Sequence, residues 1–255
     1  MKIDKLCAFV NHILDRWGGQ LVSSAAARHM SMLKTIGQHG VALDLLKLAV
    51  QCEIYRLNDK PFNIVQIGAN DGNRYDPYHP LIEKFHLAGV LVEPIPEVYK
   101  KLVFNYQDQP QLRFENSAIG PSNGELALYM LRDAHGQTDD LSVFASFNEE
   151  EVLKFKKRTK QPLSIESILV PVLTLASLLE KHSIETLSLL AIDTEGFDYQ
   201  ILKSIDFSKI RPQIIEFEHS HLSVSDESES HRLLISKGYE LHRFFGDDTL
   251  AILRD

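Results

Sequence analysis

Hydrophobic residues near the start of the chain recur three and four positions apart, which is the spacing of one helix face. The first such run, residues 6–17, ends at a pair of glycines, and further helices are predicted over 25–36 and 41–56. These runs predict an all-α N-terminal extension over residues 1–60. Its apolar faces must be covered, so we expect the extension to act as a lid over the rest of the protein or as the contact of a homodimer.

From residue 61 to residue 255 the pattern changes to short strand-like runs that alternate with amphipathic stretches. Typical buried strands are FNIVQIG, GVLVEP, LSLLAID and PQIIEFEH, whereas EVYKKLVFNY and YQILKSI have helical spacing. This alternation predicts an α/β domain with a mostly parallel sheet and helices on both faces. Near the C-terminus, the runs YELHRFF and TLAILRD predict an antiparallel hairpin that completes the sheet.

Two features in the middle of the chain depart from this alternation. The run ELALYML follows the turn-like sequence PSNG and is predicted to pair with the preceding run QLRFENSAIG as a hairpin. Residues 132–163, named here the connecting segment, are polar and lack a strand period. We expect the connecting segment to form a loop and a helix over one edge of the sheet.

The composition narrows the possible classes of function. The 255 residues include 27 basic and 35 acidic side chains, and the resulting formal charge of −8 disfavours binding of nucleic acid. The two cysteines, Cys7 and Cys52, are too few for a disulfide scaffold or a cysteine-based zinc site. No uninterrupted apolar run reaches the roughly 18–20 residues that span a bilayer. We therefore expect a cytoplasmic protein with no membrane partner.

The residues that follow the predicted strands are candidates for ligand binding, because ligands of open parallel sheets lie at the carboxyl ends of the strands. The first strand ends in a glycine-bearing turn made of Gly68, Ala69, Asn70, Asp71 and Gly72. The second ends in Glu93 and Pro94, and Glu93 lies 21 residues after Gly72. An acid at this spacing can accept hydrogen bonds from a ribose diol, so the pair indicates a cofactor that contains a nucleoside.

Acidic residues follow the next two buried strands. Asp193 and Glu195 come after LSLLAI, and Glu218 and His219 end the run PQIIEFEH, with His221 two positions further on. Neighbouring carboxylates repel each other unless a cation, a proton or a donor-rich ligand separates them. Asp193, Glu195, Glu218 and His219 are therefore candidate catalytic residues, with the carboxylates as general bases or as ligands of Mg²⁺. The alternative is that Asp193 and Glu195 cap the following helix and that His219 is a core residue.

Six motifs resemble, in their order and spacing, the FkbM family of S-adenosylmethionine-dependent methyltransferases. They are FNIVQIGANDG, GVLVEPIPEVYKKL, FENSAIG, VPVLTLASLL, LLAIDTEGFDYQILK and RPQIIEFEH. The resemblance implies a Rossmann-like class I methyltransferase fold, in which the glycine turn contacts the methionine and ribose end of the cofactor. It also implies that Glu93 binds the ribose hydroxyls, that Ala118 and Ile119 flank the adenine, and that Asp193 borders the methyl-transfer chamber.

Three functions are compatible with these motifs. The first is O-methylation of a hydroxyl on a small metabolite or a glycan sugar, since the carboxylates at the strand ends supply the base that a hydroxyl acceptor needs. The second is a non-catalytic nucleotide-binding or scaffold module, which the acids at two strand ends disfavour. The third is an NAD-dependent dehydrogenase, but GANDG lacks the third glycine of the dinucleotide fingerprint. The sequence therefore favours the methyltransferase.

Overall fold

The computed structural model describes residues 45–254 apart from 59, 75, 139–140, 160 and 244–246. The described strands are β1 (Asn63–Ile67), β2 (Ala88–Val92), β3 (Leu112–Glu115), β4 (Ala118–Ile119), β5 (Gly124–Arg132), β6 (Ser164–Leu173), β7 (Leu189–Ile192), β8 (Ile214–Glu218), β9 (Tyr239–Arg243) and β10 (Asp248–Leu253). Seven of them form the main sheet in the order β3–β2–β1–β7–β8–β10–β9. The first five of that order run parallel, and β10 is antiparallel to both of its neighbours. The mostly parallel α/β sheet with a C-terminal antiparallel hairpin is therefore confirmed.

Helices precede or connect the strands. They are α1 (Leu45–Leu57), α2 (His79–Phe85), α3 (Pro96–Asn105), α4 (Glu149–Arg158), α5 (Leu175–Lys181), α6 (Asp198–Ser204) and α7 (Val224–Ser236), with a short 3₁₀ turn at Ser142–Phe144. A proline opens α2 and another opens α3, where its missing N–H costs no hydrogen bond. Side-chain oxygens of Asn148, Thr174 and Ser223 cap the starts of α4, α5 and α7.

The main sheet separates two hydrophobic cores, because successive side chains of its central strands point to opposite faces. On β7, for example, Leu190 and Ile192 pack into one core and Leu189 and Ala191 into the other. All four residues of β7 are buried, which is the pattern of a strand covered by helices on both sides. The polar residues that follow such strands must therefore lie at the ends of the sheet.

A second, smaller sheet has the order β4–β6–β5. In it β5 pairs antiparallel with β6 along its whole length, from Gly124 opposite Val172 to Arg132 opposite Ser164, while β4 pairs parallel with the end of β6. The predicted hairpin between ELALYML and the preceding strand is therefore wrong. The ten residues of β6 offer β5 a full-length partner, whereas the strand that precedes PSNG is interrupted after Glu115 and contributes only two residues to this sheet.

Helix α1 is the part of the predicted N-terminal extension that the structure describes, and it agrees with the helix expected over 41–56. Leu45, Leu46 and Val50 are buried in the core on one face of the main sheet. The helices predicted over 6–17 and 25–36 lie outside the described residues, and the domain boundary at residue 60 stays a prediction. Within the described ranges, no helix is long and apolar enough to span a membrane.

Candidate functional site

The chain order of the strands reverses between β1 and β7. From β1 the chain proceeds outward through β2 to β3, and it later returns to β7 on the other side of β1. Ligands of open α/β sheets bind at such a switch point. A cavity lies there, at the carboxyl ends of β1, β2 and β7, and its empty space is about 1160 Å³ including the solvent at its mouth. We name it the cofactor cavity, because the switch point is where the nucleoside-containing cofactor is expected.

The turn that follows β1 lines one side of the cofactor cavity with Gly68, Ala69 and Asn70. Gly68 has a φ of +80°, and a Cβ atom at this position would lie 1.8 Å from the carbonyl oxygen of Asp193. Only glycine can adopt this conformation so close to the end of β7. The glycine therefore permits the close approach of two strand ends, and this approach brings Asp193 to the cofactor cavity.

The second half of the turn faces away from the cavity. Gly72, with a φ of +69°, packs so closely against α3 that a Cβ atom would lie 2.5 Å from Leu102 and 2.4 Å from the ring of Tyr106. The Asp71 carboxylate accepts hydrogen bonds from the backbone N–H groups that follow it, those of residues 73 and 74. Neither Asp71 nor Gly72 lines the cofactor cavity. Their geometry closes the turn, and the structure does not bring these two predicted cofactor-binding residues into contact with the cavity.

Glu93 is held by backbone donors from two elements. Its Oε2 accepts a hydrogen bond from the Asn70 N–H at 3.0 Å, and its Oε1 accepts one from the Ile95 N–H at 2.8 Å. Burial raises the pKa of Glu93 to about 7, although these two hydrogen bonds act in the opposite direction. Two lone-pair positions of the carboxylate remain after these bonds, and both Glu93 and Pro94 line the cavity.

The far wall of the cofactor cavity is apolar and comes from the small sheet. Ala118 and Ile119 on β4 line it together with Leu128 on β5. The neighbouring Ser117 Oγ is buried and has no hydrogen-bond partner among the described residues. An apolar wall with one available hydroxyl is suited to an aromatic base. Ser117 and Leu128 were not among the sequence-based candidates, because their placement depends on the pairing of β4 with β6.

The connecting segment covers the cofactor cavity. Its residues Ser142, Val143, Ala145 and Phe147 line the cavity, and Asn70 Nδ2 donates a hydrogen bond to Ser142 Oγ at 3.1 Å. A second bond, from Ser146 Oγ to the carbonyl of Glu195 at 2.8 Å, fastens the same segment to the end of β7. The segment therefore contains a helix as expected, but its loop covers the ligand cavity, which no sequence motif indicated.

Asp193 lies at the inner end of the cofactor cavity. It retains an exposed surface although it is deep among protein atoms, because that surface faces the cavity. Burial raises the pKa of Asp193 to about 6, and repulsion from Asp76 and Asp247 acts in the same direction. The carboxyl group is therefore largely ionised at neutral pH but close enough to its pKa to accept a proton from a ligand.

The sequence Thr194–Glu195–Gly196 forms a strained turn between β7 and α6. Glu195 has a φ of +54°, which is uncommon for a residue with a side chain. The turn is fixed by Asp198, whose Oδ2 accepts a hydrogen bond from Thr194 Oγ1 at 2.6 Å and whose Oδ1 accepts one from the Glu218 N–H at 3.2 Å. Asp198 thus joins the ends of β7 and β8, and it directs Glu195 toward Glu218.

Glu195, Glu218 and His221 form a cluster at the joined ends of these strands. His221 Nε2 lies 3.2 Å from Glu195 Oε2 and 3.4 Å from Glu218 Oε1. Burial raises the pKa of Glu195 to about 9 and that of Glu218 well above its ordinary value, while it lowers the pKa of His221. In the absence of a cation, the cluster therefore favours protonated carboxyls and a neutral imidazole.

The cluster lies between two cavities. Glu195 lines the cofactor cavity, and His221 lines a second cavity that is bounded by α4, the start of α7 and the residues that follow β8. The second cavity includes the polar or charged side chains of Asn148, Lys154 and Arg158 and the aromatic ring of Phe155. A molecule bound there would approach the cofactor cavity through the cluster, so we name it the acceptor cavity.

His219 is placed elsewhere. It is 5% exposed, its Nδ1 lies 3.1 Å from Thr249 Oγ1 on β10, and it lines neither cavity. The structure thus brings together Asp193, Glu195 and Glu218 of the predicted catalytic residues but not His219. The histidine at the cluster is His221, and the choice between the two depended on where β8 ends and how the chain turns after it.

A dehydrogenase of the kind considered above would use a Tyr-x-x-x-Lys pair for hydride transfer. Tyr199 and Lys203 have this spacing. The Tyr199 hydroxyl donates a hydrogen bond to Glu229 on α7, and the Lys203 ammonium lies over the Tyr199 ring. Neither residue lines the cofactor cavity or the acceptor cavity. The pair is therefore not placed for hydride transfer at the described site.

The sequence model of one family, described as the methyltransferase FkbM domain, matches residues 66–242. Among solved structures, the chain is similar to methyltransferase FkbM from Methylobacillus flagellatus KT, with a TM-score of 0.47 and 14% identity over 78% of this chain and 46% of that one. It thus spans less than half of the length of that protein. A putative caffeoyl-CoA O-methyltransferase from Staphylococcus aureus has a TM-score of 0.46 and 10% identity, with 97% of this chain and 98% of that chain covered. The N-terminal domain of human METTL16 in complex with SAH has a TM-score of 0.46 and 9% identity, with 85% and 72% covered. No curated protein sequence matches the chain.

Proposed function

The chain belongs to the FkbM methyltransferase family, and we propose that it transfers the methyl group of S-adenosylmethionine to a hydroxyl oxygen of a small metabolite or a glycan sugar. The observation that carries the proposal is the fixed position of Glu93 above the glycine turn. Its carboxylate is anchored by the Asn70 and Ile95 N–H groups, lines the cofactor cavity and still has two lone pairs that can accept hydrogen bonds. Adjacent hydroxyls of a ribose are suited to these two positions.

The cofactor cavity matches the remaining parts of S-adenosylmethionine. The apolar wall formed by Ala118 and Ile119 is suited to adenine, and the polar Ser117 Oγ beside it is available for the edge of the base. At the other end, Asp193 and Glu195 line the cavity beside the space in which the methyl group of the cofactor would meet the acceptor.

Methyl transfer to a hydroxyl breaks the bond between the methyl carbon and sulfur and forms a bond between that carbon and the acceptor oxygen. The hydroxyl proton must pass to a base, because an alcohol is a weak nucleophile while it is protonated. Asp193 is our proposed base, since it lines the cofactor cavity and its pKa of about 6 leaves it largely ionised at neutral pH. Glu195 and Glu218, in which burial raises the pKa further, would hold the acceptor.

The acceptor cavity favours a small and polar acceptor. It combines the ring of Phe155 with hydrogen-bonding groups of Asn148, Lys154 and Ser220. Such a mixture is suited to a molecule with hydroxyls on an apolar frame, as in a sugar. A nucleic acid acceptor is disfavoured by the net charge of −8.

Calorimetric titration with S-adenosylmethionine and, separately, with NAD tests the cofactor. We expect binding of one S-adenosylmethionine per chain and none of NAD. Incubation with sugars and small hydroxylated metabolites, followed by detection of S-adenosylhomocysteine and of the methylated product by mass spectrometry, tests the reaction. Binding of NAD without binding of S-adenosylmethionine would overturn the proposal, and a product methylated at nitrogen or carbon would overturn the choice of oxygen.

A further inference from the structure

The cluster of Glu195, Glu218 and His221 has a geometry that the methyl-transfer proposal does not require. Each side chain offers one ligand atom, and these three atoms lie within 4.8 Å of one another. The three residues come from two turns, and the Asp198 carboxylate fixes the turns to each other through Thr194 and the Glu218 N–H. The cluster is therefore positioned by buried hydrogen bonds and does not arise from flexible surface side chains.

Two carboxylate oxygens of the cluster lack a partner. Glu195 Oε2 and Glu218 Oε2 are both buried, and neither accepts a hydrogen bond from any described residue. The Glu218 side chain is 10% exposed. Buried oxygens of this kind are costly to leave unsatisfied. The 3.2 Å approach of His221 Nε2 to Glu195 Oε2 is not a hydrogen bond, and the other Glu218 oxygen, Oε1, accepts a hydrogen bond from Ser220 Oγ. Each of the two carboxylates therefore has one buried oxygen that still requires a partner.

The spacing of the ligand atoms agrees with a small divalent cation. For bonds of about 2.1 Å in a tetrahedral arrangement, the ligand atoms lie about 3.4 Å apart. The two distances from His221 Nε2 are 3.2 and 3.4 Å. The imidazole nitrogen also selects among cations, because Mg²⁺ and Ca²⁺ prefer sites made only of oxygen, whereas Zn²⁺, Mn²⁺ and Fe²⁺ accept mixed nitrogen and oxygen ligands.

We propose that Glu195, Glu218 and His221 form a binding site for a divalent transition-metal ion of the zinc and manganese class. The site differs from the Mg²⁺ site considered from the sequence, because an imidazole replaces one of the expected carboxylates. The site borders the acceptor cavity, which His221 and Gly196 line. Glu151 in that cavity is paired with Lys154, and the remaining charges there are those of Asp226, Asp247 and Arg158, so the balance is negative and favours a cation.

The location gives the site a role that rests on the proposed function. A cation there would lie between the cofactor cavity, which Glu195 lines, and the acceptor cavity, which His221 lines. A bound ion of this class acts as a Lewis acid toward an oxygen ligand. The residues of this chain would thus orient an acceptor hydroxyl toward the methyl donor, and Asp193 would receive its proton.

The test measures metal binding by the full-length protein. Bound metal is first stripped with a chelator, and the chelator is then removed. Isothermal titration with Zn²⁺, Mn²⁺ and Mg²⁺ at one pH gives the stoichiometry and affinity, and Co²⁺ gives an absorption spectrum that reports a site of low coordination number. The variants are His221→Asn and Glu218→Gln, and the matched control is His242→Gln on β9, which lines neither cavity. S-adenosylmethionine binding is titrated on each sample.

We expect one Zn²⁺ or Mn²⁺ per chain in the unsubstituted protein and in His242→Gln. Mg²⁺ should bind at least about 10-fold more weakly than Zn²⁺. His221→Asn and Glu218→Gln should weaken binding of the transition metal by about 100-fold or more, since even the loss of an outer-shell partner costs 10- to 100-fold. S-adenosylmethionine should still bind to both variants, which shows that they are folded.

An affinity for Zn²⁺ and Mn²⁺ that these two variants leave unchanged would overturn the site, as would the absence of binding by the unsubstituted protein. Preference for Mg²⁺ would overturn the metal class. Failure of metal binding with intact binding of S-adenosylmethionine leaves the proposed function in place. Failure of cofactor binding with an intact metal site counts instead against the proposed function.

Discussion

Replacement of Glu93 tests the assignment of the ribose site most directly. Each charge-assisted hydrogen bond between this carboxylate and a ribose hydroxyl contributes about 1.5–3 kcal/mol. Two such bonds would give about 3–6 kcal/mol, but water replaces part of the interaction in a truncated variant, so we expect Glu93→Ala to weaken cofactor binding by about 2–4 kcal/mol. This loss corresponds to a roughly 30- to 700-fold increase in Kd.

The pH dependence of binding gives the same assignment an independent check. The pKa of Glu93 is about 7 in the cofactor-free protein, and only the ionised carboxylate can accept from both hydroxyls. Cofactor affinity should therefore be nearly full above about pH 8 and fall as the pH decreases, by about 10-fold between pH 8 and pH 6. In Glu93→Gln the affinity should be lower at every pH and should no longer show this dependence.

Isothermal titration at pH 6, 7 and 8 measures both effects. In Glu93→Gln the side chain keeps the size of glutamate. Its amide N–H₂ group, however, faces the backbone N–H of either Asn70 or Ile95, so a donor meets a donor. Circular dichroism and thermal unfolding establish whether each variant is folded. A folded Glu93→Ala protein with unchanged affinity, or a Glu93→Gln protein with the pH profile of the unsubstituted chain, would refute the reasoning.

Three further predictions concern the same site. Asp193→Asn should reduce turnover by about 100-fold or more with little change in cofactor affinity. If Asp193 only caps the following helix, the substitution should instead lower stability by about 1 kcal/mol and leave turnover nearly normal. Steady-state rates and calorimetry on this one variant separate the two roles. Gly68→Ala places a Cβ atom 1.8 Å from the Asp193 carbonyl oxygen, so denaturant unfolding should show that the free energy of unfolding falls by about 2–5 kcal/mol. The control is Gly136→Ala, which has a φ of +75° but no atom nearby and should lose only about 1 kcal/mol. Equal losses in the two variants would contradict the clash. Burial raises the pKa of Glu93 to about 7 and that of Asp248 to about 9, so the folded protein binds more protons than the unfolded chain over this pH range. The free energy of unfolding without cofactor should therefore fall as the pH rises from about 5 to 9. Urea unfolding measures this trend, and an increase over the range would disprove the prediction.

The residues at the ends of the parallel strands were predictable from the sequence. Gly68, Glu93 and Asp193 each follow a run of buried apolar residues, and the parallel arrangement brings such ends to one edge of the sheet. The structure places all three around one cavity. These predictions needed only the identity of the strands and the direction of the sheet.

The features that the sequence did not predict depend on contacts between segments far apart in the chain, or on the residue at which a strand ends. Ser142 reaches the cofactor cavity through the connecting segment, and no local pattern encodes the return of a loop. The pairing of β5 with β6 required a comparison of two possible partners. The choice between His219 and His221 depended on the turn after β8, because the strand ends at Glu218 and the chain turns over the next residues, where the alternation of strand faces no longer applies.

The pairing of β5 with β6 makes part of the connecting segment exchangeable. Arg132 and Ser164 face each other across the two strands, so the chain leaves and re-enters the small sheet at one place. Between them, Ser142, Val143, Ala145 and Phe147 line the cofactor cavity, whereas the side chains of α4 line the acceptor cavity. Such an excursion tolerates changes without altering the register of the main sheet. Exchange of α4 alone between family members is therefore a direct route to new acceptor specificity on an unchanged methyl-donor site.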